Sequence, residues 1–163
     1  MATHRESRAI ALAPECLFDV VADVERYPEF VPLVRAAKIV RREDKAYETE
    51  QSLALGLLLH RFRTRTELDW PHHITVLSND RSFGHFDIRW TFTALADDRC
   101  HVDFALDCAT RSLFLMPVIE LLVMPMAAGM VSAFENRAHA LAARSGSVGS
   151  DGSRRNTPGQ APE

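Results

Sequence analysis

The sequence predicts an α+β fold, a curved antiparallel β-sheet wrapped around a long C-terminal α-helix. Two patterns predict it. Between Ala36 and Cys108, about six stretches alternate apolar and polar residues with period two, and no helical pattern interrupts them. From Ser112 to Arg144 the period changes. Leu113, Met116, Glu120, Val123, Ala127, Met130, Phe134, Ala138 and Leu141 recur at helical spacing, over about 45–50 Å at roughly 1.5 Å per residue. Strands with one apolar face need a cover, and this helix is the long element available to supply it. Its first half is apolar all round, with Phe114, Val118, Leu121, Leu122 and Pro125 away from the stripe. Something besides the sheet must therefore cover it: a ligand, a membrane surface, a partner chain or more of the fold.

In chain order, Arg5 to Leu12 reads as a first strand. Ala13-Pro14-Glu15 opens a helix with proline in its first turn. Leu17, Phe18, Val20, Val21 and Val24 form its apolar face, and Tyr27-Pro28 stops it, because a residue before proline avoids helical angles. A short turn, Tyr27 to Pro32, leads into strands at Ala36–Arg42 and Tyr47–Leu55, joined through Glu43-Asp44-Lys45. Tyr47, Thr49, Gln51, Leu53 and Leu55 share one face of the second. His60 to Trp70 sets Phe62, Thr64, Thr66, Leu68 and Trp70 against Arg61, Arg63, Arg65, Glu67 and Asp69. Pro71-His72-His73 turns the chain into Ile74–Ser78. Phe86, Ile88, Trp90 and Phe92 then face inward, a hairpin turn falls at Ala96–Arg99, and Val102, Phe104, Leu106 and Cys108 face inward again. In the long helix, Pro117 fits the first turns, whereas Pro125 removes an internal hydrogen bond and implies a kink. A membrane span over Leu113–Val131 has nearly the right length, but Glu120, Pro117, Pro125 and Gly129 weigh against it.

A chain of 163 residues with 47% hydrophobic and 25% charged residues suits one globular domain with a sizeable core. Residues 1–144 are expected to form it. Ser145 to Glu163 is rich in Gly, Ser and Pro and is expected to be a disordered tail. A net charge of −3 implies no general nucleic-acid affinity, and no DNA partner is expected. Cys16, Cys100 and Cys108 are odd in number and lack metal-ligand spacing, which reads as reduced thiols in a cytosolic chain. The N-terminus shows no secretory h-region. The chain has no nucleophile elbow, no HExxH and no Gly-rich phosphate loop. His72-His73 lacks a third ligand, and His85, Asp87 and Arg89 read as a solvated strand face. The expectation is a binding protein with no catalytic residue, no metal and no cofactor.

The stretch Phe18-Asp19-Val20-Val21-Ala22-Asp23-Val24-Glu25-Arg26-Tyr27-Pro28-Glu29-Phe30-Val31-Pro32 resembles the signature of the coenzyme Q-binding START-type proteins. This family, also labelled polyketide cyclase/dehydrase-like, includes bacterial ribosome-association toxins. Arg61–Arg65, His85–Phe92 and Ala133–Ala138 fit it too, so the resemblance runs from about Ser7 to Ala143. Two departures stand out: Leu33-Val34 where the family has Trp-Cys, and Gly56-Leu57-Leu58-Leu59 where it is more polar and carries a lysine. The resemblance implies the START-like helix-grip fold and a bound polyprenyl lipid, ubiquinone first, carried as a chaperone for respiration or quinone biosynthesis. Its alternatives are a ribosome-association toxin blocking subunit joining and a polyketide cyclase or aromatase.

The expected ligand-binding residues are Phe30, Val31, Leu33, Phe62, Phe86, Trp90, Phe104, Leu106, Glu120, Leu121 and Met124. Glu120 is the sharpest of them, because a carboxyl on an apolar stripe must be partnered or protonated; a salt bridge to a strand arginine or an exposed helix edge is the plainer alternative. A hairpin tip of three leucines should not face water without cause. Leu57, Leu58 and Leu59, with Phe114 and Met116, are therefore expected to touch a membrane. Partners are thus a quinone or other lipid and a peripheral membrane surface, with the ribosome only under the toxin alternative. The expected location is the cytoplasm, including the periphery of the inner membrane.

Overall fold

The structure is a computed structural model that describes residues 1–148. Seven antiparallel strands make one sheet in the order β1-β7-β6-β5-β4-β3-β2. They are β1 (Ala2–Ile10), β2 (Val34–Arg42), β3 (Ala46–Leu55), β4 (Leu58–Asp69), β5 (His73–Leu77), β6 (Phe83–Leu95) and β7 (Arg99–Thr110). Only the β1–β7 pairing, Ala2 opposite Cys108, joins strands distant in sequence. Helix α1 (Pro14–Ala22) and a 3₁₀ turn (Val24–Glu29) fill the excursion between β1 and β2.

Turn chemistry sets the hairpins. Gly56 takes φ 65° between Leu55 and Leu58, the positive value that a two-residue hairpin demands of its first residue. At the β6–β7 turn Asp97 and Asp98 take φ 62° and 52°, a region that aspartate tolerates better than most residues.

Inward residues of every strand meet on the concave side, where Phe18, Trp90, Phe92, Phe104, Phe134 and Ile74 are buried. The C-terminal helix lies across this side in three parts: α2 (Met116–Val118), a π turn (Ile119–Val123) and α3 (Met124–Val148). Arg8 to Glu135 at 2.8 Å ties α3 to β1, and Arg137 to Glu29 at 3.3 Å ties it to the 3₁₀ turn.

Three expectations are corrected here. The helix starts at Met116 rather than Ser112, and it continues through Val148, past the expected boundary at 144. The remainder of the expected tail, 149–163, lies outside the described residues. The interruption expected at Pro125 is a π turn ending at Val123. Proline donates no N–H and crowds the preceding turn, and a wider turn there accommodates both effects. Trp70, expected inward, is 60% exposed and donates its indole N–H to Asp19 at 3.2 Å, because β4 ends one residue earlier.

Candidate functional site

An apolar cavity of about 80 Å³ lies between the sheet and the C-terminal helix. Strand alternation supplies most of its wall: Leu53 from β3, Phe62 and Thr66 from β4, Val76 from β5, Phe86, Ile88 and Trp90 from β6, Phe104 and Leu106 from β7. The helix supplies Val123, Met126, Met130 and Phe134, and the segment after α1 supplies Val24, Tyr27, Val31 and Val34.

Aromatic rings frame the space. Trp90 lies 4.6 Å from Phe104 and 5.1 Å from Phe134, centroid to centroid. Phe134 meets Tyr27 edge-on at 5.1 Å, and Phe62 lies 5.7 Å from Phe86. Such tilted and edge-on pairs add to the burial they bring. The Tyr27 hydroxyl donates to the Val21 carbonyl, and burial holds its phenol well above its usual range. Next to the wall, Tyr47 donates to the Ala22 carbonyl at 2.7 Å, and burial pushes its phenol up to about 12. A larger hollow, about 670 Å³, lies outside the cavity between Glu43, Arg65, Glu67 and His73. Arg65 meets Glu43 at 2.9 Å there, and Glu43, Asp44, Lys45, Arg65, Glu67 and Asp69 give it a charged lining.

Of the residues expected at a ligand, Val31, Phe62, Phe86, Trp90, Phe104 and Leu106 line the cavity. Five do not. Phe30 packs behind the wall, 5.1 Å from Phe134 and under the Arg137 guanidinium. Leu33 sits in a tight turn at φ 68° and packs on the core. Met124 also packs on the core, outside the lining. Leu121 is 73% exposed, and Glu120 faces a surface hollow beside Met1, Thr110 and Ile119. The wide π turn is the reason: it rotates Ile119 inward in place of Glu120, so the stripe read at regular helical spacing slips off by one residue. Gln51, Thr66, Met126 and Met130 line the cavity without having been expected there. Strand alternation already put Gln51 and Thr66 on the inner face, and their polarity was the overlooked signal.

One end of the molecule differs from the rest. Leu57 is fully exposed, Leu58 60% and Leu59 52%. Leu113, Phe114 and Met116 at the start of the C-terminal helix are exposed as well. Arg35 borders the same leucines, Arg61 follows them on β4, and Arg81 and Arg111 lie at the adjoining loops, Arg111 N–H donating to Ser82. Among the described residues Arg35, Arg61, Arg81 and Arg111 form no ion pair, whereas Arg5, Arg8, Arg26, Arg41, Arg63, Arg65, Arg89 and Arg137 each form one.

No group of three or more His, Cys, Asp or Glu able to hold a metal occurs among the described residues. By length and composition Met116–Gly146 is apolar enough to cross a membrane, yet its stripe Val123, Ala127, Met130, Phe134 and Ala138 is packed on the sheet.

A curved sheet gripping a helix over an apolar cavity defines a START-type, helix-grip domain. The chain belongs to the polyketide cyclase / dehydrase and lipid transport family, whose pattern matches residues 10–135. It is 31% identical over 142 residues to the ribosome association toxin RatA of Pseudomonas aeruginosa, covering 86% of this chain and 99% of that protein. It is 24% identical over 139 residues to the mitochondrial coenzyme Q-binding protein COQ10 homolog B of Xenopus laevis, covering 83% of this chain and 57% of that one. The Zhui aromatase/cyclase of Streptomyces sp. R1128 superposes with a TM-score of 0.75 at 16% identity, over 85% of this chain and 93% of that one, and so shares the fold.

Proposed function

We propose that this protein binds a polyprenyl lipid, ubiquinone first, and carries it between membrane and user as a chaperone for respiration or quinone biosynthesis. The observation that carries this reading is the aromatic-walled cavity without a charged lining residue. A flat ring suits the Trp90, Phe104 and Phe134 faces, and a long apolar tail suits the exposed leucine end. At about 80 Å³ the cavity is smaller than the roughly 300–1,000 Å³ of most ligand clefts, so loading must shift the helix. The π turn, which breaks the regular helical ladder beside Val123, is the natural place for that shift. A tail that avoids water requires the mouth to meet a bilayer, which the exposed leucines and unpaired arginines suit.

Lipid extraction of the purified protein followed by mass spectrometry tests the reading. Ubiquinone or a related prenylquinone is expected in the extract, and its absence beside another abundant lipid overturns the assignment.

The RatA likeness supports a second reading, association with ribosomes. It would use Arg35, Arg61, Arg81 and Arg111 as a phosphate-binding patch. Co-sedimentation with ribosomal subunits in gradients of rising salt tests it, and a sedimentation profile free of the protein removes it.

A further inference from the structure

The sheet ends in β1 on one side and β2 on the other, and the two edges are finished differently. β2 is blunted in three ways. Its register with β3 is broken twice, between Val34 and Ala36 and between Ile39 and Arg41. The 3₁₀ turn packs against it. The Ile39 N–H donates to the Glu25 carboxylate at 3.2 Å. β1 has none of these devices. Its register with β7 is unbroken from Ala2 to Ile10. Among the described residues, the His4 carbonyl is the one backbone group of β1 bonded outside the β1–β7 ladder, and it accepts from Arg5 Nη1 at 3.1 Å. The C-terminal helix covers the inner face of the strand, where Arg8 donates to Ser132 at 3.1 Å and to Glu135 at 2.8 Å. Thr3, Arg5, Ser7 and Ala9 are left exposed.

An open, regular edge strand is a template for another strand. A second copy of β1 closes the assembly when it meets the first antiparallel about a two-fold axis. Directly opposed residues then share a face, so the axis passes through one residue position. Three registers keep most of the nine residues paired. Centred on Arg5, two guanidinium groups face each other. Centred on Glu6, two carboxylates do, and His4 faces Arg8. Centred on Ser7, two hydroxyls meet at the axis, and Glu6 of each copy lies opposite Arg8 of the other. Like charges directly opposite destabilise a strand pair and opposite charges stabilise it, which selects the third register. Glu6 also has an acceptor to offer: its Oε2 has no hydrogen-bond partner among the described residues.

We infer that the chain forms a two-fold dimer in which β1 pairs antiparallel with β1 of a second copy, centred on Ser7. The pairing joins the two sheets edge to edge through main-chain hydrogen bonds. Because the paired strands run in opposite directions, the two leucine-tipped ends point away from each other and stay free. The inference is independent of what the cavity holds.

Sedimentation equilibrium of the full chain tests the dimer, and oxidative cross-linking tests its register. The mass of the parent is expected to rise from that of one chain toward that of two as concentration increases. For cross-linking, the exposed thiol is removed by Cys16→Ser, while Cys100 and Cys108 stay because they are buried. In that background Ser7→Cys should form a disulfide-linked dimer under mild oxidation, since directly opposed Cβ atoms lie about 4.5–5.5 Å apart. Ala9→Cys should not link to itself, because that position and its copy stand about four residues, or ~13 Å, apart. Mixed with Arg5→Cys it should link, since positions 5 and 9 are opposed in this register. The mixed pair also reads the register if Ser7→Cys fails to fold. A single-chain mass at every concentration overturns the inference. So does a dimer in which Ala9→Cys links to itself as fast as Ser7→Cys, or one in which neither Ser7→Cys nor the mixed pair links.

Discussion

Phe134 is the residue on which helix, sheet and 3₁₀ turn converge, its ring about 5.1 Å from those of Tyr27, Phe30 and Trp90. Removing it leaves a cavity that a sheet and a helix cannot close from opposite sides. Phe134→Ala is therefore expected to cost about 3–5 kcal/mol in urea denaturation. Trp90 has only part of its surround filled by protein, since it borders the existing cavity. Trp90→Ala should cost less than Phe134→Ala while changing lipid uptake; a larger stability loss with unaltered lipid content would show Trp90 to be plain core. The thiols report burial in the same way. Cys16 is exposed, whereas Cys100 and Cys108 are buried, and burial pushes both thiols up to about 11. A thiol-specific reagent at pH 8 is expected to modify one thiol quickly in the folded protein, and three after denaturation. Fast modification of all three in the native state would contradict the packing of β7.

At the scale of elements, the β3–β4 hairpin is the clearest case of a structure whose local chemistry exceeds its packing need. A turn with Gly56 at φ 65° calls for no leucines after it, yet Leu57, Leu58 and Leu59 stand in solvent. Each methylene buried in a bilayer contributes about 0.8 kcal/mol, and Arg35, Arg61, Arg81 and Arg111 add an attraction that salt screens. Changing the three leucines together to Ser is expected to lower co-sedimentation with anionic liposomes and to leave the melting temperature unchanged. Parental binding by this triple variant, or its unfolding, would show that the tip is no membrane contact. Raising salt should weaken the parent's binding. Were RNA rather than lipid the partner, the leucine change would leave binding to ribosomal subunits intact.

For the whole molecule, stability should form a plateau in pH with two identifiable edges. Arg5 beside Asp107, and Arg65 beside Glu43, hold those carboxyls below their usual range. A lowered folded value means stability that is present above the unfolded value, near 4, and lost as pH falls through the folded one. Tyr47, Cys100 and Cys108 are raised in the fold, so their contribution is complete below their unfolded values, about 10 for Tyr and 8.5 for Cys, and declines as pH rises through the folded ones. Melting temperatures across pH 3–11 check both edges, and a decline beginning near pH 6 would mean that some other group dominates. Truncation is a second test at this scale. No residue after Ala138 is buried among those described, so removing 149–163 should leave the melting temperature and lipid uptake unchanged. A clear drop would show that this segment docks on the domain.

What the amino-acid sequence determined alone was everything that depends on a local period. Alternation over a strand is rigid, because a one-residue slip would turn every side chain to the other face. Hence the seven strands and the wall positions Phe62, Phe86, Trp90, Phe104 and Leu106 were legible without coordinates, as was the helix that covers them. A helical period is less forgiving. One π turn before Pro125 shifts the apolar stripe, turning Glu120 and Leu121 outward and Ile119 inward, and no pattern count contains that rotation. The polar part of the cavity lining was half legible: Gln51 and Thr66 were assigned to the inner face, but only closure of the helix over the sheet shows that they border a cavity. Arg35, Arg61, Arg81 and Arg111 lie far apart in the chain, and antiparallel return brings them to one end. Such convergence is a property of topology, which is why tertiary structure alone decided where this protein is charged, where it is apolar and where it is hollow.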